Sequence, residues 1–315
     1  MGRNLIRDRL AVKPSIEVTD APERESATAH STHWLHDDSR GFRENFERFG
    51  FIYAHRLIDN PLFEIDRLIE LSRSLGQNPD NVVFHEGNGH VDERWDAIPI
   101  STRPVETLIR EIETKGAWIL LKHVNVLPGY QAILEELISD IQVLSGRDLA
   151  PTMKSKKAII FLNSPHRTTT YHIDHQSSLL LQLRGTKTIS IFDPKDRENL
   201  PEIELERFWA GDDNAAIYKP QYQNRASVFE LKPGMGVHIP LNAPHWVQNG
   251  PEVSVSLNVN FDYHDRLVGD IYRANYWLRK AGLRPRPPHT SIQGDKLKTS
   301  AYEFARSLRA LIARR

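Results

Sequence analysis

The chain has 315 residues, 39% of them apolar, enough to bury one large core or two modest ones. Its 41 basic and 41 acidic residues cancel, so no net field favours nucleic acid or an anionic membrane, and the absence of cysteine excludes disulfides, thiolate metal sites and cysteine nucleophiles. No apolar run reaches the roughly 18 to 20 residues of a membrane span, and "MGRNLIRDRLAVK" lacks a signal peptide's apolar core, so the expectation is a soluble, cytoplasmic protein.

Residues 1 to about 35 are polar and irregular and read as a flexible N-terminal arm. Residues 36–156 mix helix and strand signals, and this α/β segment is expected to pack on the core that follows. In "PLFEIDRLIELSRSLG" apolar positions recur at helical spacing through Leu62, Ile65 and Ile69, and Gly76 stands where the helix should stop. "GAWILLKHV" is a short apolar strand. "YQAILEELISDIQVLSG" sets Ile133, Leu134, Leu137, Ile138, Ile141 and Leu144 on one helical face and ends at Gly146.

From residue 157 to 263 the texture changes to short strands between turn signals: "KAIIFLN", "TTTYHID", "LLLQLRG", "KTISIF", "SVFEL", "MGVHIP", "HWVQN" and "VSVSLNVNF". Eight such runs predict a sandwich or barrel. Residues 193–226 interrupt them with little strand signal but with Phe208, Trp209, Tyr218 and Tyr222. That stretch is either a lid over a barrel mouth or an excursion packed by its own aromatics. Residues 264–315 return to helical period, with twelve Lys/Arg against four Asp/Glu. Two solvated amphipathic helices explain this charge better than a tail for an acidic partner, and they offer a surface to pair two subunits in a homodimer.

The stretch "TTTYHIDHQSS" (168–178) carries the chemistry. On a strand, His172 and Asp174 share a face, with Ile173 and His175 on the other. An imidazole and a carboxylate on one face are half a metal site. A third ligand comes from His238 or His245 in "MGVHIPLNAPHW". His238 sits between Val237 and Ile239 like a hydrogen-bonded strand histidine, whereas His245 follows a proline-rich turn at a strand start. Two His and one carboxylate leave three positions of a metal open, the facial triad of non-haem iron oxygenases. "FHEGNGH" holds His85, Glu86 and His90 but lacks the His-Glu-x-x-His spacing.

In "KTISIF", Lys187, Ile189 and Ile191 share a face. If the isoleucines point inward so does the lysine, and a buried ammonium needs an anion such as a bound organic acid. If the strand is flipped, Lys187 faces water. The strand alone does not choose.

Taken together, "HID", "LLLQLRGTKTISIFDP", "ELKPGMGVHIPLNAPHW" and "VSVSLNVNF" resemble the cupin-like JmjC class of iron(II)- and 2-oxoglutarate-dependent oxygenases, in the branch of the asparaginyl hydroxylase acting on hypoxia-inducible factor and bacterial cupin-like relatives. The resemblance implies a mainly β fold with flanking helices around a double-stranded β-helix (jelly-roll, cupin) core. It implies Fe(II) on His172, Asp174 and His245, with 2-oxoglutarate as co-substrate and dioxygen as oxidant. Lys187, fifteen residues after the first histidine, then pairs with the far carboxylate of 2-oxoglutarate, aided by Thr169 and with Asn260 nearby. The expected reaction is hydroxylation of an unknown substrate, a protein side chain or a small molecule, with release of succinate and carbon dioxide. Two departures bear on the substrate: Ser178 stands where the asparaginyl hydroxylase has asparagine, and His175 follows the aspartate directly. The rival readings are a cupin-type metal enzyme of another class and a non-catalytic binding or regulatory module.

Overall fold

Alternation along the last long strand sets the architecture. In "SVSLNVNFDY", Val255, Leu257, Val259 and Phe261 point to one side and enter the main hydrophobic core, while Ser254, Ser256, Asn258 and Asn260 point to the other. A strand with one apolar and one polar face lies between a packed layer and a polar interior. The computed structural model describes residues 33–87, 89–98, 101, 103–263 and 267–312. Residues 1–32 of the expected arm lie outside the described residues.

The strands are β1 (Leu35–His36), β2 (Phe51–His55), β3 (Val82–His85), β4 (Trp118–Leu121), β5 (Met153–Asn163), β6 (Thr168–His172), β7 (Ser177–Arg184), β8 (Lys187–Ile191), β9 (Ser227–Leu231), β10 (Met235–Ile239), β11 (His245–Asn249) and β12 (Ser254–Tyr263). They form an eight-stranded sheet, β1-β2-β10-β7-β12-β5-β4-β3, and a four-stranded sheet, β6-β11-β8-β9, with antiparallel pairing throughout. From β5 to β12 the chain passes repeatedly between the sheets, which is the jelly-roll (double-stranded β-helix) path. The eight runs expected from the sequence are these eight strands. β1 to β4 extend both edges of the larger sheet.

The helices α1 (Gly41–Glu44), α2 (Ile65–Leu75), α3 (Val105–Arg110) and α4 (Pro128–Ser145) supply core residues that pack with the apolar face of the larger sheet. α4 begins with proline at its first turn and stops at Gly146, whose φ of 66° is the left-handed conformation that glycine adopts without strain. Leu134, Leu137 and Ile141 of α4 join Leu179, Leu181 and Leu257 of the sheet in this core. A second core lies between the sheets and holds Leu180, Ile189, Ile191, Val237, Ile239 and Val247.

A third apolar cluster covers the outer face of the smaller sheet. Tyr171, Ile173 and Phe192 pack there with Leu205 and Phe208 of α5 (Glu202–Trp209). Residues 193–226 are therefore not an open loop: they contain α5 and a 3-10 turn at Pro220–Arg225, and Tyr218 packs its ring 5.6 Å from that of Tyr171. The chain closes with α6 (Val268–Lys280) and α7 (Ile292–Ile312). No helix among the described residues is long and apolar enough to cross a membrane.

Candidate active site

Strands β6 and β11 present two histidines directly opposite each other, since the register pairs His172 with His245. Their ring centroids lie 4.1 Å apart. Asp174 sits beyond the end of β6, so the strand is shorter than "TTTYHID" suggests. The alternation carries on regardless: Ile173 is buried in the outer cluster, and the Asp174 carboxylate comes 3.7 Å from His245 Nε2. One ligand atom from each of the three residues lies within 4.8 Å of the others, and among the described residues this is the only such cluster.

Each imidazole is oriented from behind. His172 Nδ1 lies 2.7 Å from the Thr170 carbonyl and His245 Nδ1 2.9 Å from the Ala243 carbonyl. Donation of Nδ1–H to those carbonyls leaves each Nε2 lone pair for a metal. Burial, reinforced by the neighbouring His172, pushes His245 down to about 4 against the opposing pull of Asp174, so its ring is neutral at ordinary pH. The turn before His245 is fixed by Asn242, at φ 59°, whose side-chain oxygen accepts from Trp209 Nε1 at 3.0 Å. Two imidazoles and a carboxylate, with no thiolate, suit a divalent first-row metal with open positions.

The triad borders a cavity of about 460 Å³ between the sheets, which Lys187, Thr169 and Asn260 also line. Ile189 and Ile191 lie in the inter-sheet core, and this decides the direction of Lys187: its side chain is inward and 5% exposed. Lys187 Nζ donates to Ser256 Oγ at 2.7 Å, and Ser256 Oγ donates to Gln182 Oε1 at 2.7 Å. No carboxylate among the described residues forms an ion pair with it. Burial pushes the ammonium down to about 7. Thr169 stands opposite Val247 across the β6–β11 pair, and Asn260 accepts from Asn258 Nδ2 at 2.6 Å.

Among the described residues, the other candidate histidines stand outside the cluster. His175 borders the cavity but stacks on Phe208, centroids 3.9 Å apart, with its edge toward Trp209. His238 is a strand histidine: its Nδ1 lies 3.0 Å from the Ser178 carbonyl, and its Nε2 accepts from the Glu47 amide. In "FHEGNGH", His85 packs on Trp118, Glu86 takes Arg103 and Ser101, and His90 pairs with Asp92.

Several cavity residues escape a reading of the sequence. For Asn258 the signal that could have found it is the polar–apolar alternation of β12. Trp95 and Trp118 carry no local signal, because they reach the cavity from the segment preceding the jelly roll, as does Leu120. Trp95 stands edge-on to His172 at 5.2 Å between centroids, and its backbone N–H donates to Asn214 Oδ1 at 2.7 Å.

No curated protein sequence matches the chain. Among solved structures, Escherichia coli YcfD is similar, with a TM-score of 0.51, 16% identity, and coverage of 87% of this chain and 68% of YcfD. Two further structures describe YcfD as a ribosomal oxygenase. The one in complex with cobalt and succinic acid matches with a TM-score of 0.44 and 15% identity over 83% of this chain and 64% of YcfD. The one with cobalt and 2-oxoglutarate matches at 0.45 and 16% identity over the same shares. The likeness is one of fold. Residues 100–266 match the cupin-like domain family, a span that takes in β4, all eight jelly-roll strands and every member of the triad. That span is more than half of the chain, and the protein belongs to the cupin-like domain family.

Proposed function

We propose that the protein is an iron(II)- and 2-oxoglutarate-dependent dioxygenase that hydroxylates a protein side chain or a small molecule and releases succinate and carbon dioxide. One observation carries this reading: a buried lysine with no carboxylate partner among the described residues lines the same cavity as a two-histidine, one-carboxylate cluster. A metal centre with open positions and an unpaired cation together call for an anionic ligand that reaches both.

His172, Asp174 and His245 would hold the metal, which when bound supplies open coordination positions for the co-substrate and dioxygen. The Thr170 and Ala243 carbonyls keep the imidazoles in the ligating tautomer. Lys187 takes the far carboxylate of 2-oxoglutarate, with Thr169 and Asn260 beside the path. Ile159, Phe161 and Ile189 line the cavity with hydrocarbon, which limits water and strengthens the lysine–carboxylate attraction. The test is conversion of 2-oxoglutarate to succinate by purified, iron(II)-loaded protein in air, even without a second substrate. Folded, iron-loaded protein that forms no succinate overturns the reading.

The same reading includes a cytoplasmic location, which a cysteine-free chain supports, and a homodimer. α7 leaves Leu297, Phe304 and Leu308 on its exposed surface, Phe304 72% exposed. A helix with so much apolar surface in water gains by pairing with another copy. Light scattering on Phe304→Glu should give a monomer where the native chain gives a dimer. A native monomer at micromolar concentration refutes the pairing.

A further inference from the structure

Two of the three cluster residues are joined through one asparagine. Asn242 donates its backbone N–H to the Asp174 carbonyl at 3.4 Å. It also opens the turn that leads through Ala243 and Pro244 to His245, and the Ala243 carbonyl of that turn faces His245 Nδ1 at 2.9 Å. Its φ of 59° is the left-handed conformation, which asparagine tolerates better than most residues but which neighbouring contacts must hold. Asn242 is 8% exposed, and its side-chain oxygen accepts from Trp209 Nε1 at 3.0 Å.

Trp209 is itself gripped from outside the jelly roll. It ends α5, and α6 closes over its ring: the Arg273 guanidinium stands 5.2 Å from the ring centroid, and a Cβ added to Gly269 would come 2.5 Å from Trp209 Cε3. A second tie joins the two helices. Glu206 of α5, fully buried, accepts from Arg279 Nε at 2.6 Å and from Arg279 Nη2 at 2.8 Å. The His175 ring also meets Trp209 edge-on, but the route to Asp174 runs through the Asp174 carbonyl and not through that ring.

Ligand atoms bind a metal tightly when they are held near the bonding geometry before it arrives. His172 lies within β6, whereas Asp174 lies beyond the end of that strand and His245 is the first residue of β11. Strand pairing alone leaves such end positions free to fray. We propose that Trp209 is a positioning residue of the metal centre: its N–H fixes Asn242, Asn242 fixes Asp174 and His245 relative to each other, and α6 fixes Trp209. α6 thereby acts on the cluster although none of its residues lines the cavity. Only the metal-binding part of the reading above is needed for this, whatever the reaction.

The test is the cobalt(II) affinity of the full chain, measured by competition with a chelator, together with the absorption spectrum of the bound ion. Trp209→Phe keeps aromatic packing and removes the N–H, and Asn242→Gly keeps the left-handed turn and removes the acceptor. Each should weaken cobalt(II) about three- to tenfold and shift the spectrum, and the double variant should bind no more weakly than the worse single one. Gly269→Ala pushes the Trp209 ring from α6 and should weaken cobalt(II) in the same range, although helix propensity favours alanine. Asn242→Gly and Gly269→Ala leave the tryptophan in place and carry the same comparison if Trp209→Phe does not fold. Variants that melt lower yet keep native cobalt(II) affinity and spectrum would show packing alone and overturn the proposal, as would additive losses in the double variant. Native protein that takes up no cobalt(II) overturns the metal reading as well, a result distinct from variants that bind it as the native chain does.

Discussion

Replacing Lys187 with methionine should push stability and co-substrate binding in opposite directions. In the ligand-free protein the ammonium is buried against Ser256 Oγ and titrates at about 7 instead of the usual 10.5. At about 1.4 kcal/mol per tenfold in proton affinity, this depression corresponds to a cost of several kcal/mol for the charged form. Methionine keeps the methylenes and removes the charge, so ligand-free Lys187→Met should melt several degrees higher at or below pH 7. The sign with pH follows from proton uptake. Below pH 7 the lysine is protonated in both folded and unfolded states, and the full cost is present. Between pH 7 and 10.5 the unfolded chain holds the proton and the folded chain does not, so native stability rises with pH and the advantage of methionine disappears. Binding should move the other way. A charge-assisted hydrogen bond is worth about 1.5 to 3 kcal/mol, so anaerobic calorimetry with iron(II) should show 2-oxoglutarate weakened roughly ten- to a hundredfold in the variant. Lys187→Arg should recover part of the loss, because its planar fork presents the charge at another depth. An unchanged 2-oxoglutarate affinity in Lys187→Met refutes the argument.

The remaining predictions concern the triad and its frame. His172→Ala or Asp174→Ala should abolish 2-oxoglutarate turnover with the circular dichroism spectrum intact; full turnover by either variant removes that residue from the site. His175→Ala should bind iron(II) as the native protein does but lose about 1 kcal/mol of stability with its stacking on Phe208, and a metal affinity as low as that of the triad variants contradicts this. Gly185 turns the chain from β7 to β8 at φ 68°, where an added Cβ would come 2.5 Å from the Val253 carbonyl oxygen. Gly185→Ala should therefore cost about 2 kcal/mol or more in urea denaturation, and a neutral effect would mean that the turn relaxes freely.

Much of this protein is local enough to read along the chain. The eight core strands show as short runs between turn residues, and period two makes His172 a face-mate of Asp174 and Lys187 a face-mate of Ile189. The polar face of "SVSLNVN" likewise announces a strand that borders something other than a packed core. These relations need only the pleat of one strand. Which face turns inward is not a property of the strand, because flipping it preserves the period. For Lys187 the choice is made by Ile189 and Ile191, which enter the core between two sheets assembled from distant segments. The same holds for the third member of the cluster. His238 and His245 both belong to short apolar strands, but β10 joins the larger sheet, where His238 bonds to Ser178, while β11 pairs with β6 and sets His245 against His172. Trp95 and Trp118 lie furthest from any local signal, since Trp118 stands on a strand added to the edge of the jelly roll and Trp95 on a 3-10 turn, Trp95–Ala97, that packs against both Trp118 and His172. Backbone pairing between residues far apart in sequence decides such placements, and that pairing depends on the whole fold being closed.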